Sequence, residues 1–231
     1  MYKRQVDGKE VPSVTEVLKF VDKSGPISGW AKKQVKEHIL AEVPYGGAIT
    51  ADGVERGYKQ ANRMATVARD KGTRTHALIE AALMLGEVPE DEDPSLVHAA
   101  NEALRVVSAE GVDVVGVEYA VGSGRIAGTI DCIIQRQGKL YVVGWKRAKG
   151  FYPEYAVQVK MYMALLDHAM THAFERPNAI GGGFVVLLPQ DAEGQALAKK
   201  VDHHPNDEYT QAFTKVLDAK QAWDNLFGDD R

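Results

Sequence analysis

The chain has 231 residues, of which 45% are hydrophobic and 26% charged, an ordinary composition for one globular protein. Its 28 basic and 32 acidic residues leave a formal charge of −4, so it is not a protein that simply coats a polyanion, and any nucleic-acid contact has to use a local groove. The single cysteine, Cys132, excludes an intramolecular disulfide and any all-cysteine zinc or iron–sulfur site, and no apolar run approaches the roughly 20 residues of a bilayer span. The first ten residues show no apolar targeting core, and the expected compartment is the cytoplasm.

Residues 1–8 read as a short strand and turn ending at Asp7-Gly8. Ser13 stands three before Glu16, a capping-box spacing that predicts a helix over about 14–22. Ser13 and Thr15 then lie at a helix N-terminus, where a hydroxyl either caps the helix or touches a phosphate. Gly25-Pro26 is expected to break that helix, and a second is predicted over about 28–42. Lys32, Lys33 and Lys36 fall near one face of it, either a solvated face or a phosphate-facing patch.

Pro44-Tyr45-Gly46-Gly47 reads as a loop and 51–61 as a short helix. Residues 62–85 read as one long helix, or two separated near Gly72. Arg69, Lys71 and Arg74 crowd its middle. His76 and Glu80, four apart, share a face. An acidic connection over 86–95 leads to a helix over about 94–109, with Val97, Ala100, Leu104 and Val107 on one side.

Three strands are predicted next, over 112–122, 124–137 and 139–146. The turn signals Gly122-Ser123-Gly124 and Gln137-Gly138 join them in an antiparallel meander. A helix over about 153–172 starts beside Pro153. Gly181-Gly182-Gly183 leads into the strand FVVLLP. It is no P-loop, because a P-loop opens a helix and ends in Gly-Lys-Ser/Thr. An edge strand over 197–204 and a helix over about 207–226 close the chain. This order predicts an α/β fold, a central mixed β-sheet with flanking helices. Without repeats or a long linker, residues 1–231 are expected to form a single domain: a helical part over about 10–110, a core over about 111–190, and a C-terminal strand and helix over about 195–231.

The chemistry concentrates at 128–162. Asp131 and Lys146 sit in runs that otherwise read as buried strands, and burying a charge is costly unless it is paired or holds a metal. As a mere ion pair they would give little net stability, which motivates a functional reading. Strand alternation puts Gly144 and Lys146 on one side and the Trp145 side chain on the other. Gln158 and Tyr162 share a helix face. Lys149, Phe151 and Tyr152 combine charge and aromatic rings as single-stranded DNA sites do. His168 and His172 have metal-like spacing with no evident third ligand, and read as surface histidines.

Taken together and in order, PSVTEVL, GTRTH with Glu80, the strand bearing Glu118, GTID, VVGWK and the Gln-x-x-x-Tyr helix resemble the PD-(D/E)XK nuclease superfamily. Within it they resemble the RecB-like exonucleases, over roughly residues 10–190. The resemblance implies a restriction-endonuclease-like core and a metal-dependent exonuclease acting on single-stranded or duplex DNA ends, as in phage or recombination pathways. It implies Mg²⁺ or Mn²⁺ held by His76, Asp131 and the backbone carbonyl of Trp145, with Lys146 catalytic and Gln158 and Tyr162 as the last motif. Arg74, Arg147, Lys149, Tyr152 and Ser13 are the residues expected to touch DNA. The four-cysteine iron–sulfur cluster of some members is excluded here.

Gly144 departs from the pattern, which has Asp or Glu there. Three explanations follow: engineered inactivation, a natural relative that binds DNA without cutting, or substitution by Glu118, Glu80 or Glu154. The alternative function is therefore a non-catalytic DNA-end-binding or regulatory protein. A restriction-like endonuclease is disfavoured by the helix histidine and the Gln-x-x-x-Tyr motif.

Overall fold

The computed structural model describes residues 5–6, 8–20, 24–42, 49–89, 92–177, 179–204 and 208–227. The expected loop at Pro44–Gly47 and the turn residue Asp7 lie outside them. The chain divides into two compact units. One comprises residues 1–21 and 74–231, and the other residues 22–73.

The first unit is built on a five-stranded sheet. Its strands are β3 (Val112–Ser123), β4 (Ile126–Arg136), β5 (Lys139–Lys146), β6 (Ile180–Leu187) and β7 (Leu197–Val201), in that spatial order. β3, β4 and β5 form the expected antiparallel meander. At the β4–β5 turn, Gln137 and Gly138 both take positive φ (50° and 73°), as a tight two-residue hairpin loop requires. β5 and β6 are parallel, joined by helix α5 (Pro153–His172), and β7 returns antiparallel. The sheet is therefore mixed. A separate two-residue pairing joins β1 (Gln5–Val6) to β2 (Lys9–Glu10).

The core is divided between the two faces of the sheet. On one face, Ile130, Ile133, Val142 and Val185 pack with α1 (Val14–Phe20), α5 and α6 (Glu208–Phe227). On the other, Cys132, Ile134, Val143 and Trp145 pack with Leu78 and Ile79 of α3 (Ala51–Leu85) and with α4 (Pro94–Val107). The glycine triplet has a packing reason. A Cβ on Gly181 would lie 2.6 Å from the Tyr141 ring, and one on Gly183 would lie 2.5 Å from Val159 of α5. Helix and strand meet there only because no side chain intervenes.

The second unit contains α2 (Ser24–Glu42) and the first part of α3. Two sequence expectations change here. Gly25-Pro26 does not lie between helices; α2 begins at Ser24, because proline is tolerated in a first turn, where its missing N–H has no helical partner to lose. The helices expected over 51–61 and 62–85 are one 35-residue helix. Gly72 does not interrupt it, since a lone glycine costs only about 1 kcal/mol in a helix. Within this unit Gly53, Gly57 and Ala61 are buried, and a Cβ on Gly57 would meet Val35 of α2 at 3.1 Å.

Candidate metal centre

Asp131 lies midway along β4, and Lys146 is the last residue of β5. Both side chains are largely sequestered, at 14% and 16% exposure, and Lys146 Nζ stands 3.7 Å from Asp131 Oδ2. That same oxygen accepts a 2.9 Å hydrogen bond from the Trp145 backbone N–H. The carboxylate is thus fixed by the neighbouring strand, and its Oδ1 is turned toward α3. There His76 Nδ1 lies 3.8 Å away.

Glu118 completes the cluster from β3. Its Oε1 is 4.0 Å from His76 Nδ1. The β3–β4 ladder pairs Val117 with Cys132 and Tyr119 with Ile130, leaving the intervening Glu118 and Asp131 unpaired. Glu118 there takes φ +46°, a left-handed conformation that is uncommon for any residue but glycine and that gathers at functional sites. One donor atom from each of His76, Glu118 and Asp131 falls within 4.8 Å of the others. Burial, then the Asp131 carboxylate, then Glu80, push the Glu118 carboxyl up to about 7, with Lys146 opposing. A cation between these groups would remove that penalty, and two carboxylates with one imidazole suit a small divalent ion.

The imidazole is oriented by its other nitrogen. His76 Nε2 stands 3.2 Å from the Trp145 carbonyl oxygen. With Nε2 donating there, the lone pair of Nδ1 faces the acids, the arrangement that fixes a ligating histidine. The Trp145 carbonyl, expected as a metal ligand, thus stands against the ring nitrogen of His76 that does not face the acids. The Trp145 indole is buried in the core on the α3–α4 face, opposite the lysine, as alternation predicts.

Gly144 points into the site. A Cβ there would be 4.0 Å from Asp131 Oδ2 and 3.1 Å from Val159 Cγ2. An acid at 144 would thus stand beside Asp131, a place the present residue leaves without an oxygen. Of the three suggested substitutes, Glu118 joins the cluster. Glu80 is near enough for its charge to help raise the Glu118 carboxyl, and Glu154 is at the start of α5.

On α5, Gln158 Nε2 lies 3.4 Å from the Tyr162 hydroxyl and donates to Thr15 Oγ1 at 3.2 Å. Tyr162 is buried, and its ring occupies the space over Gly128, where a Cβ would come within 2.4 Å of it. The glycine of Gly-Thr-Ile-Asp is therefore the tyrosine's seat. Sequence reasoning overlooked Tyr155, whose ring lies 5.8 Å under Lys146 Nζ. It sits one turn before Gln158 on the same face, and that spacing was the available signal.

Of the remaining expected DNA contacts, Ser13, Arg147 and Arg74 are engaged by partners within the chain. Ser13 is buried, and its hydroxyl accepts from the Glu16 N–H while Glu16 accepts from the Ser13 N–H. It is a helix cap with no surface left for a phosphate. The Arg147 guanidinium donates to the carbonyls of Pro189 and Gln190 and to Ser95 Oγ, so it braces a loop and α4. Arg74 is paired with Glu92. Lys149 and Tyr152 are exposed just after β5, with Tyr152 edge-on to Tyr155. The His168 and His172 rings lie 4.4 Å apart on α5.

Comparison with known proteins adds lineage to this geometry. Residues 94–229 match the PD-(D/E)XK nuclease superfamily. The human protein named mitochondrial genome maintenance exonuclease 1 is 23% identical over 190 residues, which are 78% of this chain and 50% of that protein. The chain thus spans about half the length of that relative. A solved structure titled "Crystal structure of SSO0001" aligns over 88% of this chain and 86% of its own, at 15% identity and a TM-score of 0.35. Among the described residues, no helix is long and apolar enough to cross a membrane.

Proposed function

This chain belongs to the PD-(D/E)XK nuclease superfamily, and on that premise we propose that it is a metal-dependent DNA exonuclease of the RecB-like type. It hydrolyses phosphodiester bonds at DNA ends, with turnover lowered by Gly144. The observation that carries this reading is the meeting of His76, Glu118 and Asp131 beside Lys146. The relative named as an exonuclease supports the class of activity. Residues 1–231 act as one nuclease domain that includes the helical unit, and the compartment we propose is the cytoplasm, where DNA and free Mg²⁺ coexist.

In this reading His76 Nδ1, Asp131 and Glu118 hold Mg²⁺ or Mn²⁺, and Glu118 supplies the charge that an acid at 144 would otherwise bring. Such an ion, when bound, lowers the pKa of a water and shields phosphate charge. Lys146 keeps its ammonium beside the carboxylates, positioned to neutralise charge that builds on a phosphate oxygen. The Trp145 N–H and carbonyl hold Asp131 and His76 in place. Gln158 and Tyr162 brace the lysine side of the site, and Lys149 and Tyr152 flank it.

The test is cleavage of an end-labelled linear strand with Mg²⁺ or Mn²⁺. Slow release of nucleotides by the natural chain, faster release by Gly144→Asp and none by Lys146→Met is the expected result. Gly144 itself motivates the second reading, a DNA-end-binding protein that does not cut. Salt-sensitive DNA binding with no cleavage by either the natural chain or Gly144→Asp would establish that reading and end the first.

A further inference from the structure

The Lys146 ammonium is held more loosely by Asp131 than its burial requires. The side chain is 16% exposed, and Asp131 Oδ2 stands 3.7 Å from Nζ, beyond hydrogen-bond range. That oxygen already accepts from the Trp145 N–H. An ion held by His76, Glu118 and Asp131 would repel the ammonium and draw on the same carboxylate. A flexible four-carbon stem does not fix its own position against such a neighbour. A group for which the ion does not compete has to keep it in place.

The ring of Tyr155 is such a group. Lys146 ends β5, and α5 begins after a short loop at Pro153. Tyr155 lies in the first turn of that helix, its N–H donating to the Tyr152 carbonyl at 3.0 Å. Lys146 Nζ stands over its ring, 5.8 Å from the centroid, within the roughly 6 Å at which a ring face attracts a cation. The ring is itself fixed. It packs partly buried against the core, and Tyr152 meets it edge-on, with centroids 5.4 Å apart and planes at 90°. Burial, then Glu154 and Tyr152, push its hydroxyl above the usual value, so a neutral phenol faces the lysine. Tyr155, Gln158 and Tyr162 share one face of α5. Along it, one ring lies under the lysine, the amide donates to Thr15, and the second ring covers Gly128.

We propose that Tyr155 is a positioning residue for Lys146: its ring face holds the ammonium at the Asp131 edge of the site while the carboxylates hold an ion, and leaves the remaining N–H donors for a phosphate oxygen. The attraction comes from the ring quadrupole, which adds no net charge and offers a divalent ion no oxygen ligand on that face. The phenol oxygen is not needed for it. This rests on the nuclease reading for what the ammonium is positioned toward, and the hold itself is testable without turnover.

The experiment records the NMR signals of isotope-labelled lysine side chains in the full chain, with Lys146 identified by its loss in Lys146→Met. Protons above a ring face are shifted upfield by the ring current. The Lys146 ε-methylene signal should therefore lie upfield in EDTA and in Mg²⁺, stay there in Tyr155→Phe and return to the ordinary position in Tyr155→Leu, with the other lysine signals unmoved as the check on folding. An ordinary position in the natural chain, or an upfield shift that survives Tyr155→Leu, would overturn the proposal. Cleavage of the end-labelled strand gives the second readout, in whichever of the natural chain and Gly144→Asp cuts faster. There Tyr155→Leu should lower kcat about 10-fold or more at similar KM, and Tyr155→Phe should retain it. An unchanged kcat in Tyr155→Leu would also overturn the proposal. If neither chain cuts, the nuclease reading fails, and the methylene shift alone decides whether the ring holds the lysine.

Discussion

The backbone N–H of Trp145 donates to Oδ2 of Asp131 at 2.9 Å, while Lys146 Nζ stands 3.7 Å from the same oxygen. The carboxylate is held first by a peptide group of the adjacent strand and only then by the lysine. Removing the lysine charge would therefore leave Asp131 in position, and the cluster with His76 and Glu118 intact.

Gly144→Asp should raise affinity for Mn²⁺ by at least 10-fold, read by isothermal titration. Even partners outside the ligand set are commonly worth 10–100-fold, and a Cβ at 144 already lies 4.0 Å from Asp131 Oδ2. The contact of that Cβ with Val159 at 3.1 Å asks the valine to move by a few tenths of an ångström, at a cost of about 1 kcal/mol in metal-free stability. Unchanged affinity would show that Glu118 already fills the role.

Glu118 predicts a pH dependence of metal-free stability. Its carboxyl is raised from 4.5 to about 7 in the folded chain, so between those values the folded state binds more protons than the unfolded one, and stability falls as pH rises. The penalty is absent below about pH 4.5 and complete above about 7. Because the side chain is 34% exposed, solvent screening reduces it to about 1 kcal/mol at pH 8. Glu118→Gln should gain that amount at pH 8 and nothing at pH 4.5, by chemical denaturation in EDTA. Mn²⁺ should stabilise the natural chain more than the variant.

Gly128→Ala should destabilise by about 1–3 kcal/mol, the usual range for overpacking, because the new methyl would stand 2.4 Å from the Tyr162 ring. Thermal unfolding measures the loss. A companion change of Tyr162→Leu, which vacates that space, should recover part of it.

Arg147→Ala should cost about 2–3 kcal/mol through the carbonyls of Pro189 and Gln190 and the Ser95 hydroxyl it leaves without their donor. Oligonucleotide binding in EDTA should be unchanged at a temperature where the variant is folded. A drop in binding at unaltered stability would return this arginine to the DNA surface.

Much of this protein is legible along the chain because its determinants are local. The 13–16 capping box, the Gln137-Gly138 hairpin and the alternation that sends Trp145 and Lys146 to opposite faces each depend on neighbours within a few residues. The motif order likewise named His76, Asp131 and Lys146 as one site. Tertiary structure alone decided the rest. Glu118 was one of three acids named for the missing carboxylate, and an unpaired rung and a left-handed backbone, which no pattern of residues in β3 displays, accompany its place in the cluster. Arg147, a cation one residue past the lysine, was drawn into bracing a loop over forty residues away. The Trp145 carbonyl became the histidine's partner because α3 brings His76 to it. Spacing sets which face a side chain leaves from. Which groups meet there depends on how distant segments pack, and short-range pattern carries no record of that.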